Sequence, residues 1–323
     1  MLIRLGTRQS PLALWQANHI GALLQAKGYQ VELVKIITSG DVSTAPLGQA
    51  GPLGQSGGQG LFTKEIQRAL HENRCDLAVH SLKDLPTDVS PGLRLTAVPP
   101  REETADCLIS RFGTLDGLPI GARVGTGSPR RRAQLLAARP DLDVLEIRGN
   151  LDTRLRKLDE AQYDAILLAY AGLHRLGLAG RITQKLTDEL MLPAVGQAAL
   201  GLETRDQDIE TIRAASQLDH PQTHSAVLAE RSLLRSMRAG CLAPLAALAR
   251  TYPDSIELTS RVFSADGRQV IASRQVMMLS ENITEIELYA QAVQLGVNTA
   301  KDLISQGADG LIQSTRNTPF HKT

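Results

Sequence analysis

The chain has 323 residues, 42% of them apolar, which is more than one hydrophobic core usually accommodates, so we expect two or three domains. Its 35 Lys and Arg residues nearly balance 34 Asp and Glu residues, and a net charge of +1 does not favour a nucleic-acid or membrane partner. The three cysteines form no CxxC pair, so we expect a protein of a reducing compartment that binds no zinc. The first residues lack the pattern of a secretory leader, so we expect a cytoplasmic protein.

The first third of the chain predicts alternating strands and helices. Residues 2–5 are strand-like, and Ser10 and Pro11 suit the N-cap and first turn of a helix that reaches about Lys27. A strand-like run at 31–37, a helical pattern at 61–70 and a buried-strand pattern at 77–79 follow. Such alternation is typical of a parallel sheet covered by helices.

A glycine-rich segment, GQAGPLGQSGGQG, occupies residues 48–60. Its backbone freedom is too great for a core element, so it is either a mobile lid or an ordinary surface loop. A phosphate-binding P-loop is disfavoured, because no Gly-Lys-Ser/Thr closes the run.

The middle of the chain repeats the pattern of the first third. A strand at 122–124 and a turn at 125–127 are followed by Ser128 and Pro129, which open a helix reaching Arg139. The segments CDLAVHSLKDL and YDAILLAYAGL both place an Asp before an apolar strand and a loop after it. These features predict two related α/β domains with a cleft between them.

The pattern changes from about residue 220. It predicts a helix at 225–238, a loop at 239–241 and three short strands, with a hairpin turn at Asp266-Gly267. A last helix at 284–306 follows, with Thr284 as a possible N-cap, and then a polar tail to Thr323 that we expect to be frayed. We therefore predict domains at 1–98 plus 199–217, at 99–198 and at 218–323, the third of them α+β.

Three consecutive arginines, Arg130, Arg131 and Arg132, fall in the first turn of the helix opened by Ser128 and Pro129. A cation there opposes the helix dipole at a cost of about 0.3–1 kcal/mol each. A bound anion reverses that sign, because free backbone N–H groups and guanidinium groups together bind carboxylate or phosphate. The alternative is a solvated basic face.

Charged residues also follow other predicted strands. Arg8, Lys83 and Arg148 each come after a strand-like run, and ligands of open α/β sheets bind beyond the carboxyl ends of strands. Asp84 adjoins Lys83, and it is either half of an ordinary surface pair or a catalytic carboxylate. Cys241 falls in a loop where its sulfur could face a cleft, whereas the other two cysteines adjoin apolar runs and are expected to be inert packing residues.

Seven segments, in order along almost the whole chain, carry a resemblance to a known family. They are GTRQSPLALWQ at 6–16, AVHSLKDLP at 78–86, GTGSPRR at 125–131, RGNLDTRLRKLD at 148–159, AGLHRLGL at 171–178, LPAVGQ at 192–197 and AGC at 239–241. Through them the chain resembles the hydroxymethylbilane synthase (porphobilinogen deaminase) family.

The resemblance implies a transferase of tetrapyrrole biosynthesis that condenses four porphobilinogen molecules head to tail on a dipyrromethane primer, with loss of ammonia. Hydrolysis then releases hydroxymethylbilane. It also implies that the dipyrromethane cofactor is joined to Cys241 by a thioether and that Asp84 is the catalytic carboxylate. Binding of cofactor and substrate carboxylates, which suits bidentate arginines, is assigned to Arg8, Ser10, Lys83, Thr126, Ser128, Arg130, Arg131, Arg148, Asn150, Arg154, Arg175 and Gln197.

The fold implied by the resemblance consists of two periplasmic-binding-protein-like α/β domains around a cleft plus a smaller α+β domain that carries the cofactor cysteine. A monomer is expected. The chain departs from the family pattern in having no Lys or Arg between Lys35 and Lys64, where the family often has a basic residue at the position of Gln59. It also has Glu103-Thr104-Ala105-Asp106 where an Asp-Pro-Arg-Asp-like segment is usual.

Two other classes of function remain as alternatives. A solute-binding protein would use the same two-lobed architecture for simple anion capture, and the missing leader disfavours it. Phosphate or nucleic-acid binding through the three consecutive arginines is disfavoured by the balanced net charge.

Overall fold

The computed structural model describes residues 1–38, 63–240 and 243–316, which fall into two compact units. The first unit comprises Met1–Glu102 and Ala198–His224, and the second comprises Glu103–Gln197 and Ser225–Thr323. The division into three domains stays a prediction.

Strands and helices alternate along most of the described chain. In chain order they are β1 Leu2–Thr7, α1 Pro11–Ala26, β2 Gln30–Lys35, α2 Lys64–His71, β3 Leu77–Ser81, β4 Leu93–Ala97, β5 Asp106–Ser110, β6 Arg123–Gly125, α3 Pro129–Ala138, β7 Asp143–Leu145, α4 Leu151–Asp159, β8 Ala165–Ala169, α5 Tyr170–Arg175, β9 Gln184–Lys185, β10 Leu200–Arg205, α6 Ile209–Ser216, α7 Pro221–Ser236, β11 Leu245–Thr251, β12 Ser255–Phe263, β13 Val270–Met278, α8 Glu285–Ser305 and α9 Ala308–Arg316.

The sheet of the first unit has the strand order β2-β1-β3-β10-β4. Strand β1 is parallel to β2 and β3, whereas β10 is antiparallel to both β3 and β4. Alternate residues of β3 face opposite sides, as expected for a strand: Leu77 packs with residues of α1 and α6, and Ala78 packs with residues of α2. Helices therefore cover both faces of this sheet.

The second unit contains a sheet of the same kind, ordered β7-β6-β8-β5-β9. Strand β6 is parallel to β7 and β8, and β5 is antiparallel to β8 and β9. In both sheets, three parallel strands are followed by an antiparallel strand beside the third. This shared arrangement confirms the related α/β patterns predicted from the first and middle parts of the sequence.

A separate three-stranded antiparallel sheet, β11-β12-β13, lies in the C-terminal part of the second unit. One of its faces packs against α7, α8 and α9, through residues such as Leu258, Leu233, Leu295 and Ile312. The hairpin between β12 and β13 approaches α3 so closely that a Cβ atom on Gly267 would lie 2.3 Å from the carbonyl oxygen of Ala133. The mixed α/β architecture and this separate sheet confirm the predicted fold class.

Helix starts were predicted well because capping residues mark them. Ser10 and Ser128 accept hydrogen bonds from backbone N–H groups in the first turns of α1 and α3, and Thr284 forms a capping box with Glu287 at the start of α8. The helix predicted at 225–238 begins earlier, at Pro221, and ends at Ser236.

One prediction about the C-terminus is wrong. Residues 308–316 were expected to belong to a frayed tail, but they form α9, whose Ala308 and Ile312 are buried against the C-terminal core. Residues 317–323 lie outside the described residues, as does the proposed lid at 48–60.

Candidate functional site

The carboxyl ends of β1 and β3 bring four of the predicted site residues to one edge of the first sheet. Arg8 and Ser10 follow β1, and Lys83 and Asp84 follow β3 in a 3-10 turn, Leu82–Asp84. Because β1 and β3 are neighbouring parallel strands, their following loops lie at the same edge. The sequence prediction that these residues lie beyond strand ends is confirmed.

Buried residues on either side hold the turn that carries Asp84. Leu82 and Leu85 are buried, while Lys83 and Asp84 between them are half-buried. On the strand before the turn, His80 Nε2 lies 2.9 Å from Glu203 Oε2, and Gln67 Nε2 donates to the other oxygen of Glu203 at 2.9 Å. His80 is therefore a buried structural residue.

The second unit brings Arg130 and Arg131 together around a carboxylate that sequence reasoning did not select, that of Asp106. Arg131 donates from Nε at 3.1 Å and from Nη2 at 2.7 Å to Asp106 Oδ1. Arg130 Nη1 lies 2.7 Å from Asp106 Oδ2 as an ion pair and donates to the Leu192 carbonyl at 2.7 Å. The exposed fractions are 4% for Arg130, 6% for Arg131 and 0% for Asp106.

This burial settles one alternative from the sequence. A solvated basic face is wrong for Arg130 and Arg131, because both side chains are removed from water. Both guanidinium groups pair with a side chain of the protein itself, that of Asp106, and the anion-binding site predicted at the start of α3 stays a prediction. Asp106 gave little signal in the sequence, since an Asp at the start of an apolar strand is usually a plain boundary residue.

The cluster of Asp106, Arg130 and Arg131 has two positive groups and one negative group. Burial alone would raise the pKa of Asp106, but the charges of Arg130 and Arg131 outweigh it and hold that pKa well below its ordinary value. Burial, reinforced by the neighbouring Arg131, lowers the pKa of Arg130, against the opposing effect of Asp106. Since an arginine stays protonated at neutral pH, the cluster carries a net charge of about +1.

Gln197, also predicted as a site residue, belongs to this cluster. Its Nε2 donates to Asp106 Oδ1 at 2.9 Å and to the Thr104 carbonyl at 2.7 Å. The preceding Gly196 donates its backbone N–H to the buried carboxylate of Glu230 at 2.7 Å. Hydrogen bonds therefore hold both Gly196 and Gln197 of the LPAVGQ segment in place.

Thr126 and Ser128, two further predicted site residues, lie at the start of α3. The backbone N–H of Ser128 donates to Thr126 Oγ1 at 3.2 Å.

The remaining predicted residues of the second unit lie in the loop after β7, in α4 and in α5. Arg148 pairs with Glu146, and Arg154 donates to the Gly149 carbonyl at 2.8 Å. Asn150 is the N-cap residue of α4 and its side chain makes no capping hydrogen bond. Arg175 is the last residue of α5 and is half-buried. All of these residues come after the ends of parallel strands of the second sheet.

Two of the three cysteines are buried, as predicted. Burial raises the pKa of the Cys75 thiol to about 11 and that of Cys107 to about 12, so both are poor nucleophiles. Cys241 lies outside the described residues. Across residues 1–38, 63–240 and 243–316, no helix has the length and apolar character needed to cross a membrane.

Comparison with known families identifies first the class of protein and then the family. Residues 3–213 match the model described as porphobilinogen deaminase, dipyrromethane cofactor binding domain, and residues 224–305 match the porphobilinogen deaminase C-terminal domain. The class is therefore that of transferases of tetrapyrrole biosynthesis that carry a dipyrromethane cofactor. The chain belongs to the porphobilinogen deaminase (hydroxymethylbilane synthase) family, as its sequence motifs predicted.

Individual relatives agree along almost the entire chain. A porphobilinogen deaminase of Trichlorobacter lovleyi is 45% identical over 313 residues, covering 96% of each chain. One of Chlorobium chlorochromatii is 43% identical over 318 residues, covering 97% of this chain and 98% of the relative. Among solved structures, a putative periplasmic sulfonate-binding protein from Methylobacillus flagellatus matches with a TM-score of 0.36 and 13% identity, covering 74% of this chain and 68% of its own. A similarity this low carries no functional argument.

Proposed function

We propose that this chain condenses four porphobilinogen molecules into hydroxymethylbilane with Asp84 as its catalytic carboxylate and Cys241 as the attachment point of the dipyrromethane cofactor. The observation that carries the binding part of this proposal is the cationic cluster of Asp106, Arg130 and Arg131, buried at the start of α3. A buried excess of positive charge is costly unless an anion balances it.

The residues of the second unit fit the cofactor. Each pyrrole of a dipyrromethane carries carboxylate groups, and Arg130 has a buried Nε with no hydrogen-bond partner among the described residues. An unpaired buried donor beside a net positive charge suits an incoming carboxylate oxygen. Arg148, Asn150, Arg154, Arg175 and Gln197, with Thr126 and Ser128, complete the proposed carboxylate-binding set of this unit. The bound dipyrromethane would supply the pyrrole carbon from which the chain grows.

Asp84 acts on the substrate. In each condensation the aminomethyl C–N bond of porphobilinogen breaks, ammonia leaves and positive charge develops on the pyrrole nitrogen. A fixed carboxylate stabilises that charge and takes up the proton released after the new C–C bond forms. The buried leucines on either side of the turn keep Asp84 in place without withdrawing it from solvent. Arg8, Ser10 and Lys83 at the same sheet edge bind substrate carboxylates.

The proposal also covers the cellular location, the oligomeric state and the partners of the protein. We infer a cytoplasmic monomer that acts on porphobilinogen and has no nucleic-acid or membrane partner, in keeping with the net charge of +1 and the cysteine usage. We expect little charge recognition from the glycine-rich segment at 48–60, because it contains no Lys or Arg.

Intact mass followed by peptide mapping tests the central proposal. The purified chain should carry a two-pyrrole adduct on Cys241 and on neither Cys75 nor Cys107, because both of those thiols are buried with raised pKa values. A Cys241→Ser variant should lack the adduct and the activity, whereas Cys107→Ser should keep both. An unmodified mass from an active preparation, or an adduct on Cys75 or Cys107, would defeat the proposal.

A further inference from the structure

We propose that Asp106 is a positioning residue for cofactor binding, which holds Arg130 and Arg131 in the arrangement that receives a carboxylate of the dipyrromethane. This inference rests on the proposed function. Asp106 does not itself contact the cofactor in this proposal; it acts through the two guanidinium groups that its carboxylate orients.

The carboxylate of Asp106 makes polar contacts with three side chains. Its Oδ1 accepts two hydrogen bonds from Arg131 and one from Gln197 Nε2, while its Oδ2 forms the ion pair with Arg130. Each arginine also donates to a backbone carbonyl. Arg130 does so from Nη1, the nitrogen that pairs with Asp106, to the carbonyl of Leu192, and Arg131 does so from Nη1 to the carbonyl of Leu167 at 3.0 Å. Both guanidinium groups are therefore held by the shared carboxylate and by a backbone carbonyl.

One carboxylate cannot neutralise two guanidinium groups. Without Asp106 the two buried cations would repel each other at close range, in surroundings where charge interactions are stronger than in water. With it, the pair stays together and retains one positive charge. Arg130 Nε is buried without a hydrogen-bond partner among the described residues, so the cluster keeps a donor that its internal contacts do not use.

The position of the cluster in the sheet supports a role in binding rather than in folding alone. Asp106 pairs in register with Ala169, the last residue of β8, so it lies at the carboxyl end of the parallel strands. Ligands of such sheets bind at this end. At the opposite end, directly before β8, Asp164 also joins two arginines: Arg111 at 2.7 Å and Arg123 at 3.1 Å.

Asp164 is the natural control, because it has the same chemistry in a different place. Its side chain is 14% exposed and those of its two arginines are each 43% exposed, so this group is a surface network at the amino end of the strands. If bridging two arginines merely stabilised the fold, the two aspartates would differ in stability contribution but neither would affect cofactor loading.

The experiment compares Asp106→Asn and Asp106→Glu with Asp164→Asn. Each protein is produced without cofactor in a host unable to make porphobilinogen, porphobilinogen is added, and intact mass follows the loaded fraction with time. Thermal unfolding midpoints are measured before and after loading. We expect both Asp106 variants to load roughly tenfold to a hundredfold more slowly than wild type, because a small displacement of a binding group has effects of this size. Asp164→Asn should load at the wild-type rate.

Each outcome decides a separate question. Wild-type protein that never acquires the adduct contradicts the proposed function and leaves Asp106 without a cofactor to position. Wild-type protein that loads normally, together with a folded Asp106→Asn that loads equally fast, overturns the positioning role alone. If Asp106→Asn has no cooperative unfolding transition, Asp106→Glu decides, since it keeps the charge but moves the carboxylate by one methylene; normal loading of that variant overturns the proposal.

Discussion

Asp84 is the last residue of a 3-10 turn whose flanking leucines are buried, so removing its charge should leave the turn intact. We expect Asp84→Asn to fold normally and to lose nearly all turnover, because a preorganised charge of this kind lowers a barrier by about 3 kcal/mol. Asp88→Asn is the matched control, as Asp88 is exposed four positions along the same loop. Steady-state rates with circular dichroism would check both, and near-normal turnover of Asp84→Asn would rule out the catalytic role.

Two arginines with different surroundings separate binding from stability. Arg131→Leu removes one of the two arginines that balance the charge of the fully buried Asp106. We therefore expect slow cofactor loading and a loss of about 3–5 kcal/mol in the free energy of unfolding. Arg148 pairs with Glu146 in a half-exposed position, so Arg148→Leu should impair elongation with a loss below about 1 kcal/mol. Urea unfolding and single-turnover assays measure the two effects; equal stability losses would contradict the assignment.

At the scale of residues, the sequence predicts the arginines but not their internal partner. Arg130 and Arg131 stand out because cations at a helix N-terminus need an explanation. Asp106 is 25 positions away along the chain from Arg131, and only the pairing of β5 with β8 brings it to the start of α3. A polar contact created by tertiary structure has no local pattern, so no periodicity or spacing could have predicted it.

Among the elements, the contact between α7 and α8 depends on Gly296. A Cβ atom there would lie 2.3 Å from the Ala229 carbonyl oxygen and 2.7 Å from Leu233 N, both of them backbone atoms that cannot rotate away. Gly296→Ala should therefore destabilise the protein by about 1–3 kcal/mol, despite the better helix propensity of alanine. Gly310 in α9 is the control, since nothing lies within 4 Å of its Cβ position.

The control substitution, Gly310→Ala, is not expected to destabilise the protein. Gly310→Ala should leave the protein as stable as wild type or more stable by up to about 1 kcal/mol. Thermal or urea unfolding of the two variants compares them directly. A Gly296→Ala protein as stable as Gly310→Ala would mean that the helices are not packed as closely as the structure describes.

Elements with capping signals or long periodic patterns were predictable, and short ones without them were not. Ser10-Pro11, Ser128-Pro129 and Thr284 mark helix starts that the structure confirms. Helix α9 has only nine residues and a narrow apolar face, formed by Ala308, Leu311 and Ile312, within a polar segment. Its stability comes from packing on the C-terminal core, and packing is not visible in local sequence.

For the molecule as a whole, the free energy of unfolding should decrease in acid, because arginines hold several aspartates ionised in the folded state. The pKa of Asp106 lies well below its ordinary value for the reasons given above, and hydrogen bonds from Arg123, against burial, lower that of Asp164 to about 2. In the unfolded chain both groups protonate near pH 4. The unfolded state thus binds more protons as the pH falls from about 5 to about 2, and the free energy of unfolding decreases through that window.

Urea unfolding between pH 6 and pH 3 measures this dependence. Asp164→Asn removes the contribution of Asp164, so the free energy of unfolding of this variant should change less steeply with pH than that of wild type, while its value near pH 6 should be lower. An identical slope for the two proteins would show that Asp164 is not held ionised in the folded state.

The strand β10 lies inside the first sheet, between β3 and β4, although it comes from residues 200–205. As the polypeptide leaves the ribosome, β3 and β4 emerge long before the strand that must separate and pair with both. The strands of the second sheet, in contrast, all lie between residues 106 and 185 and are complete in the chain before β10 is made. The usual order, in which the N-terminal part is complete first, is therefore reversed for the two sheets. The second sheet has all its strands in the chain before the first, and until β10 is made the edges of β3 and β4 that it joins lack their partner, which leaves them open to pairing with other chains.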